Sequence, residues 1–323
     1  MGPDRTKRLT DLMAALEEMP GGVEVRDGAD PASTVITGVS HDSRTVAPGH
    51  LFVAVTGTMT DGHRYLDAAV AAGAAAVVVE TYPPGPLSVP VIRTPDSRRA
   101  LSRLAAAFYD YPSRRLTLIG LTGTNGKTTT SYLVEAVLRA AGAEVGVLGT
   151  VSRRFAGRVL PAPTTTPEST EVQALLAEML AAGVTHVVME VSSHALVMGR
   201  VEDCDFDAVV FTNLSRDHLD FHRDMDTYWR AKSRLFTEIL PSSAKISRLA
   251  VTNLDDPRGG AIAPPPGSHL LRYGLTPGAE VTAGQMDLDL AGIRGTIHTP
   301  AGPVALNLKL PGRYNLLNAL AAT

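Results

Sequence analysis

The stretch from Leu116 to Ala141 constrains this chain more than any other. A fully apolar run, Leu116 to Gly120, enters Gly120-Leu121-Thr122-Gly123-Thr124-Asn125-Gly126-Lys127-Thr128-Thr129, and a helical stretch, Ser131 to Ala141, follows. Strand, glycine-rich loop, Lys-Thr and helix, in that order, are the setting of a phosphate-binding loop. Glycines let backbone N–H groups curl around phosphate oxygens, and the helix N-terminus adds a positive dipole end. There Lys127 can neutralise β/γ charge and the Thr128 hydroxyl can hold Mg²⁺. The usual Walker spacing asks for glycine at 121, where this chain has Leu121; its glycines fall at 120, 123 and 126. The sequence therefore predicts ATP or GTP binding by Gly123, Thr124, Asn125, Gly126, Lys127, Thr128 and Thr129. It does not fix the reaction, because such a fold hosts many chemistries.

A loop of this kind sits in a doubly wound, mostly parallel sheet, and the surrounding pattern agrees. Short apolar runs at Val145 to Leu148, His186 to Val191, Ala208 to Phe211 and Ala250 to Thr252 alternate with helical stretches, as buried parallel strands do. After Pro264-Pro265-Pro266 the pattern changes. Ala279 to Ala283, Gly292 to His298 and Val304 to Leu310 read as a small antiparallel flank. Residues 1 to 113 read as a separate α/β domain, with strands at Val35 to Val39, Leu51 to Val55 and Ala75 to Glu80. Helices are predicted there at Tyr65 to Ala72 and Ser97 to Tyr109. The break at Tyr111-Pro112-Ser113 divides the chain into 1–113 and 114–323.

Composition narrows the partners. With 30 basic and 33 acidic side chains the formal net charge is -3, which gives no footprint for nucleic acid or an anionic membrane. The single cysteine, Cys204, rules out a disulfide framework within the chain and fits a reducing cytoplasm. The opening residues start charged and develop no apolar signal core. No exposed apolar stripe stands out, which leaves the oligomeric state open, with a monomer as the expectation.

In open α/β sheets ligands bind beyond the C-terminal ends of strands, and three polar segments sit there. Glu190 opens Glu190-Val191-Ser192-Ser193-His194, Asn213 to His218 follows Phe211, and Asn253 and Asp255 follow Thr252. Carboxylate and imidazole beside a phosphate loop suit a bridging Mg²⁺. The plain alternatives are a strand-end acid in water for Glu190 and solvated helix residues for His218 and His222. Position at the ligand edge favours a role for Glu190 and His218, whereas His222 is expected to be solvated. No G-x-S-x-G elbow accompanies Ser192 and Ser193. His218 and His222 have zinc-helix spacing without the glutamate that zinc proteases use. Lys232, in Trp229-Arg230-Ala231-Lys232-Ser233-Arg234-Leu235, reads from chemistry alone as a surface lysine.

Together these segments resemble the Mur ligase family, and within it the MurE group. The phosphate loop alone is shared with folylpolyglutamate synthases. Met189-Glu190-Val191-Ser192-Ser193-His194 with Arg200, and Thr212-Asn213-Leu214-Ser215-Arg216-Asp217-His218-Leu219-Asp220, are more specific. So is His41-Asp42-Ser43-Arg44 through Pro48-Gly49 to Asp61-Gly62-His63, although MurF enzymes carry a similar segment. The resemblance implies an ATP- and Mg²⁺-dependent ligase that adds a third amino acid, meso-diaminopimelate or L-lysine, to UDP-N-acetylmuramoyl-L-alanyl-D-glutamate through an acyl phosphate. It makes 1–113 the UDP-binding domain and 114–323 the ATP-binding domain. It places Ser43 at the uridine, Thr165 and Thr166 at the UDP-muramoyl group, and Ser192 and Arg200 at further substrate contacts. Glu190 and His218 match magnesium ligands, and Lys232 matches a lysine carbamylated in the family, so Lys127, His218 and Lys232 form the implied catalytic set. Asn253, Asn315 and Asn318 match nucleotide contacts.

Two departures stand out. Met198 sits where some relatives have a substrate-touching glutamine. The family's C-terminal amino-acid-binding domain has no counterpart, and the helix begun at Tyr314 reaches Thr323 without a glycine cap or breaker. The chain alone is thus expected to bind the precursor and nucleotide without completing ligation. A binding module without turnover, MurF, a folylpolyglutamate synthase and another P-loop enzyme such as a kinase are the competing readings.

Overall fold

The computed structural model describes residues 5–17, 19–26, 30–57 and 60–323. The chain packs as two units. One comprises Met1–Pro112 with Glu168–Glu178 and Met198–Asp203; the other comprises Ser113–Pro167, Met179–Val197 and Cys204–Thr323.

The first unit is built on a five-stranded sheet in the order Glu24–Arg26, Val91–Arg93, Ala76–Val79, His50–Val53, Gly38–Ser40. All neighbours are parallel except the edge strand Glu24–Arg26. Ala76–Val79 is buried throughout, because both faces of the sheet are covered. Ala76 and Val78 face Leu12, Leu101, Leu104 and Phe108 on one side, and Val77 and Val79 face Leu66 and Ala69 on the other. Helix Ser97–Phe108 starts at Asp96, whose carboxylate accepts from the Arg99 N–H at 2.9 Å, a standard N-cap.

In the second unit, among the described residues, eight strands form one sheet. Their order is Arg158–Pro161, Ser152–Phe155, Val145–Leu148, His186–Glu190, Thr117–Thr122, Ala208–Phe211, Leu249–Asn253, His269–Tyr273. The last six run parallel and the first two form an antiparallel hairpin at the edge. Thr117–Thr122 lies in the centre, so chain crossings leave it in both directions and open a crevice at its C-terminal end. The doubly wound, mostly parallel sheet read from the sequence is present. So is the antiparallel flank, a three-stranded sheet of Thr282–Asp289, Gly292–Thr299 and Gly302–Leu308. Ile293 and Ile297 from this flank, and Val281 just before it, join Leu121, Val147, Val188, Val210, Leu316 and Leu320 in one core. Helix Arg313–Ala322 packs against helix Lys127–Ala140. No helix among the described residues is long and apolar enough to cross a membrane.

Candidate nucleotide and substrate site

Strand register brings the polar segments to one edge. Glu190 pairs with Leu121 and Phe211 with Thr122, so the residues after each strand meet at the phosphate loop. Helix Lys127–Ala140 starts four residues earlier than the sequence pattern suggested, which places Lys127 and Thr128 in its first turn. Gly123 adopts φ 142°, and a Cβ there would fall on the Thr212 hydroxyl. The loop is braced by the segment after Phe211. Thr124 N–H donates to the Asn213 carbonyl at 2.8 Å, Asn125 N–H to Asn213 Oδ1 at 3.0 Å, and Thr212 Oγ1 to the Asn125 carbonyl at 2.7 Å.

The Lys127 amine folds back onto its own loop, donating to the carbonyls of Gly123 and Thr124, both at 2.9 Å. Lys232 is not the surface lysine that its chemistry suggested. It is 1% exposed, donates to the Gly123 carbonyl at 2.8 Å and lies 4.7 Å from the centre of the Tyr228 ring. Helix Met225–Arg234, capped by Asp224 accepting from Thr227 N–H at 2.7 Å, carries Tyr228 one turn before Lys232 on the same face. Burial pulls the Lys232 amine well below its ordinary value, and the neighbouring Lys127 charge pulls it further. Burial also lowers Lys127, against the attraction of Glu190 and Asp217. A π-helical stretch, Leu235–Ile239, follows this helix, as wider turns often do near functional residues.

Glu190 is 1% exposed, so it is not a strand-end acid in water. Its Oε2 accepts from the hydroxyls of Thr128 at 3.0 Å and Thr150 at 2.9 Å, and its Oε1 accepts from Thr150 N–H at 3.1 Å. Thr165 Oγ1 lies 3.1 Å from Thr150 Oγ1. Thr166 Oγ1 donates to the Glu190 carbonyl at 2.8 Å and accepts from Ser192 N–H at 3.0 Å. Thus Thr128, Glu190, Thr165, Thr166 and Ser192 converge. A buried carboxylate beside a threonine hydroxyl is a hard-oxygen donor set that fits Mg²⁺. Among the described residues no three His, Cys, Asp or Glu side chains group as a metal cage, so phosphate oxygens and waters would supply most ligands of a bound ion.

His218 has φ 52° and a side chain 46% exposed, with Nε2 3.5 Å from Asp217 Oδ2. Its ring stands edge-on to His194 at 5.0 Å and to Tyr228 at 6.1 Å. His222 corrects the sequence reading. It is 2% exposed rather than solvated, and its Nε2 lies 2.8 Å from Ser193 Oγ. The short helix Leu219–His222 turns its ring onto Tyr228, at 4.9 Å. Burial first, then the charges of His194, Lys232 and His218, draw His222 down to about 4.

Asn253, Asn315 and Asn318 line one cavity of about 900 Å³ with Asn125, Gly126 and Thr129, within the range of small-ligand pockets. Asn253 is held by Nδ2 donating to the Thr212 carbonyl at 2.7 Å, and Asn318 Oδ1 accepts from Thr130 Oγ1 at 3.4 Å.

In the first unit Ser43 lines a cavity of about 400 Å³ with His41, Asp42, Arg44, Arg98 and Glu168. Asp42 caps the turn Ser43–Thr45 through Arg44 N–H at 3.0 Å. Hydrogen bonding from the Arg44 guanidinium holds its carboxyl down to about 2. Arg200 pairs with Glu168 at 3.3 Å, and its Nη2 lies 3.3 Å from Sδ of Met198, the residue at the position where some relatives carry a glutamine.

Sequence reasoning passed over Thr150, Tyr228 and Asp256, whose Oδ2 accepts from Leu214 N–H at 2.7 Å. Tyr228, one turn ahead of Lys232, was findable by helical spacing. Thr150 has no local signal.

Comparison with known proteins follows this geometry. Residues 121–323 match the profile of the Mur ligase middle domain, and residues 35–109 that of the Mur ligase family catalytic domain. UDP-N-acetylmuramoyl-L-alanyl-D-glutamate–2,6-diaminopimelate ligase of Geobacter metallireducens is 46% identical over 308 residues, which are 95% of this chain and 60% of that protein. The ligase of the same name from Geobacillus thermodenitrificans is 43% identical over 313 residues, 97% of this chain and 63% of that one. The chain thus spans less than two thirds of the length of these relatives. A solved structure of a ligase of that name superposes with a TM-score of 0.79 at 30% identity, covering 95% of this chain and 62% of the other.

Proposed function

The chain belongs to the Mur ligase family, and from that premise we propose that it carries the precursor- and nucleotide-binding machinery of an ADP-forming ligase of the MurE type. The reaction joins meso-diaminopimelate, the amino acid in the relatives' name, to UDP-N-acetylmuramoyl-L-alanyl-D-glutamate. Peptidoglycan precursor assembly in the cytoplasm is the setting that this substrate implies. The observation that carries the reading is the junction of the phosphate loop and strand His186–Glu190, where Thr128 donates to buried Glu190 at 3.0 Å, with buried Lys232 and half-buried Lys127 both held on the Gly123 carbonyl.

The chemistry needs no protein nucleophile. A D-glutamyl carboxylate oxygen attacks the γ-phosphorus of ATP and ADP leaves, giving an acyl phosphate. The amino group of the incoming residue attacks the acyl carbon, phosphate leaves and the amine proton is lost. Lys127 swings from its loop carbonyls to the β/γ oxygens and spreads their developing charge. Thr128, Glu190, His218 and a carbamylated Lys232 are the groups that would hold Mg²⁺, which when bound offsets the phosphate charge. Carbamylation joins the neutral Lys232 nitrogen to the carbon of CO₂ with loss of a proton, and turns a potential cation into an anion. Asn253, Asn315 and Asn318 hold the nucleoside. Domain 1–113 receives the uridine at Ser43, and Thr165, Thr166, Ser192 and Arg200 receive the rest of the precursor.

Calorimetric titration of the chain with UDP-N-acetylmuramoyl-L-alanyl-D-glutamate tests this. Saturable binding, weakened by both Ser43→Ala and Arg200→Ala, is expected. Absence of binding by a chain that still takes up nucleotide would remove the precursor from the proposal and leave only a P-loop nucleotide site.

A further inference from the structure

We propose that Thr150 is the positioning residue that fixes the Glu190 carboxylate opposite Thr128, and so sets how tightly the site holds Mg²⁺ with nucleotide. The inference rests on the reading of Glu190 as a magnesium ligand and assigns the part of the fold that makes it one.

Thr150 grips the carboxylate twice. Its N–H donates to Oε1 at 3.1 Å and its hydroxyl to Oε2 at 2.9 Å. Two donors from one residue, one on each oxygen, fix the plane of the carboxylate as a bidentate clamp does. The preceding residue makes room for this. A Cβ on Gly149 would stand 2.5 Å from Glu190 Oε1, so the carboxylate rests on bare backbone at the end of strand Val145–Leu148.

The directions of the hydrogen bonds follow from the acceptor. A carboxylate only accepts, so the single proton of the Thr150 hydroxyl points at Glu190. In the 3.1 Å contact with Thr165 the proton must then come from Thr165. Thr128 likewise spends its proton on Oε2, which leaves its lone pairs to accept or to coordinate. Donation from Thr165 through Thr150 on one side and from Thr128 on the other therefore converges on the Glu190 carboxylate, which links an implied precursor contact to the phosphate loop. Thr150 is the link to which the proposed function gives no precursor, nucleotide or metal contact. It is also exposed, so its hydroxyl has water as an alternative partner and little to offer the core. Partners that orient a metal ligand commonly carry 10- to 100-fold of metal affinity.

The test is a Mg²⁺ titration of the binding of a fluorescent, non-hydrolysable ATP analogue to the chain, with melting temperatures measured alongside. Thr150→Val keeps the branched shape and the N–H and removes the hydroxyl; Thr150→Ala does so with less bulk; Thr150→Ser keeps the hydroxyl. Thr150→Val and Thr150→Ala are expected to raise the Mg²⁺ midpoint about 10-fold with an unchanged melting temperature. Thr150→Ser is expected to stay within about 2-fold of the parent, and Glu190→Gln to shift the midpoint furthest. If Glu190→Gln shifts the midpoint and Thr150→Val and Thr150→Ala do not, Thr150 is not the positioning residue and the Glu190 reading stands. Equal shifts in Thr150→Ser and Thr150→Val would also overturn the inference, because the hydroxyl would not be the agent. No shift in Glu190→Gln would instead remove the metal reading on which the inference depends.

Discussion

The amines of Lys127 and Lys232 converge on a single acceptor, the Gly123 carbonyl oxygen, at 2.9 and 2.8 Å. Two full positive charges cannot share one buried oxygen without strong repulsion. Burial and Lys127 together hold the Lys232 amine well below its ordinary value, which favours its uncharged, nucleophilic form. Incubation with ¹³C-bicarbonate near neutral pH should give one carbamate carbon resonance. Lys232→Arg should lack it, and acidification should erase it as the nitrogen takes a proton. A signal that persists in Lys232→Arg would place the carbamate elsewhere.

Gly123→Ala should abolish nucleotide binding. At φ 142° a Cβ would fall on the Thr212 hydroxyl. Such a sparsely populated, nearly glycine-only backbone conformation costs another residue about 1–3 kcal/mol, and the loop must shift to relieve the clash. Titration with ADP and a thermal melt check this. Parent-like affinity in the alanine variant would show that phosphate is not held by the loop in this shape.

His222 should make stability fall in mild acid. Its folded value is about 4 against an ordinary 6.5. Above 6.5 neither state binds the proton and stability is complete. Between 6.5 and 4 the unfolded chain takes up a proton that the folded chain refuses, so stability declines; below 4 the loss levels off. At about 1.4 kcal/mol per pH unit the loss is at most about 3 kcal/mol. His194, His218 and Lys232 face the ring and oppose its charge, while Asp220 favours it. Urea midpoints at pH 7 and pH 5 should differ less in His222→Gln than in the parent.

Asp42→Ala should cost about 1 kcal/mol through the lost cap and weaken UDP binding at the Ser43 cavity. The parent carboxyl, held down to about 2 by Arg44, is ionised throughout neutral pH. UDP affinity should therefore show no Asp42 titration between pH 5 and 8. Urea unfolding and UDP calorimetry measure the two effects.

The central strands and the phosphate loop were legible because each is a local pattern. The edge hairpin was not. Its turn, Ala156-Gly157, has φ 47° and 75°, the two-residue geometry that usually carries Asn-Gly, and alanine hides that signal. Strand Ser152–Phe155 is half arginine, which masks apolar alternation, and the edge strand His269–Tyr273 is interrupted by His269 and Arg272. At the site, chemistry alone left Lys232 and His222 on the surface. Their burial depends on Tyr228, which lies over both, and such stacking across elements leaves no mark in either segment. Thr150 was invisible for the same reason, since its partner Glu190 is 40 residues away.

Helix Arg313–Ala322 lines the proposed nucleotide cavity with Asn315 and Asn318, and Asn318 meets Thr130 across 188 residues of chain. A polypeptide grows from its N-terminus at about 5–20 residues per second. The phosphate loop therefore leaves the ribosome roughly 10 to 40 s before the helix that completes its pocket. Throughout that interval ATP, however abundant, cannot lend its binding energy to the folding chain. The nascent sheet has to hold together on its own packing, and nucleotide becomes a stabiliser only once this helix has joined the cavity.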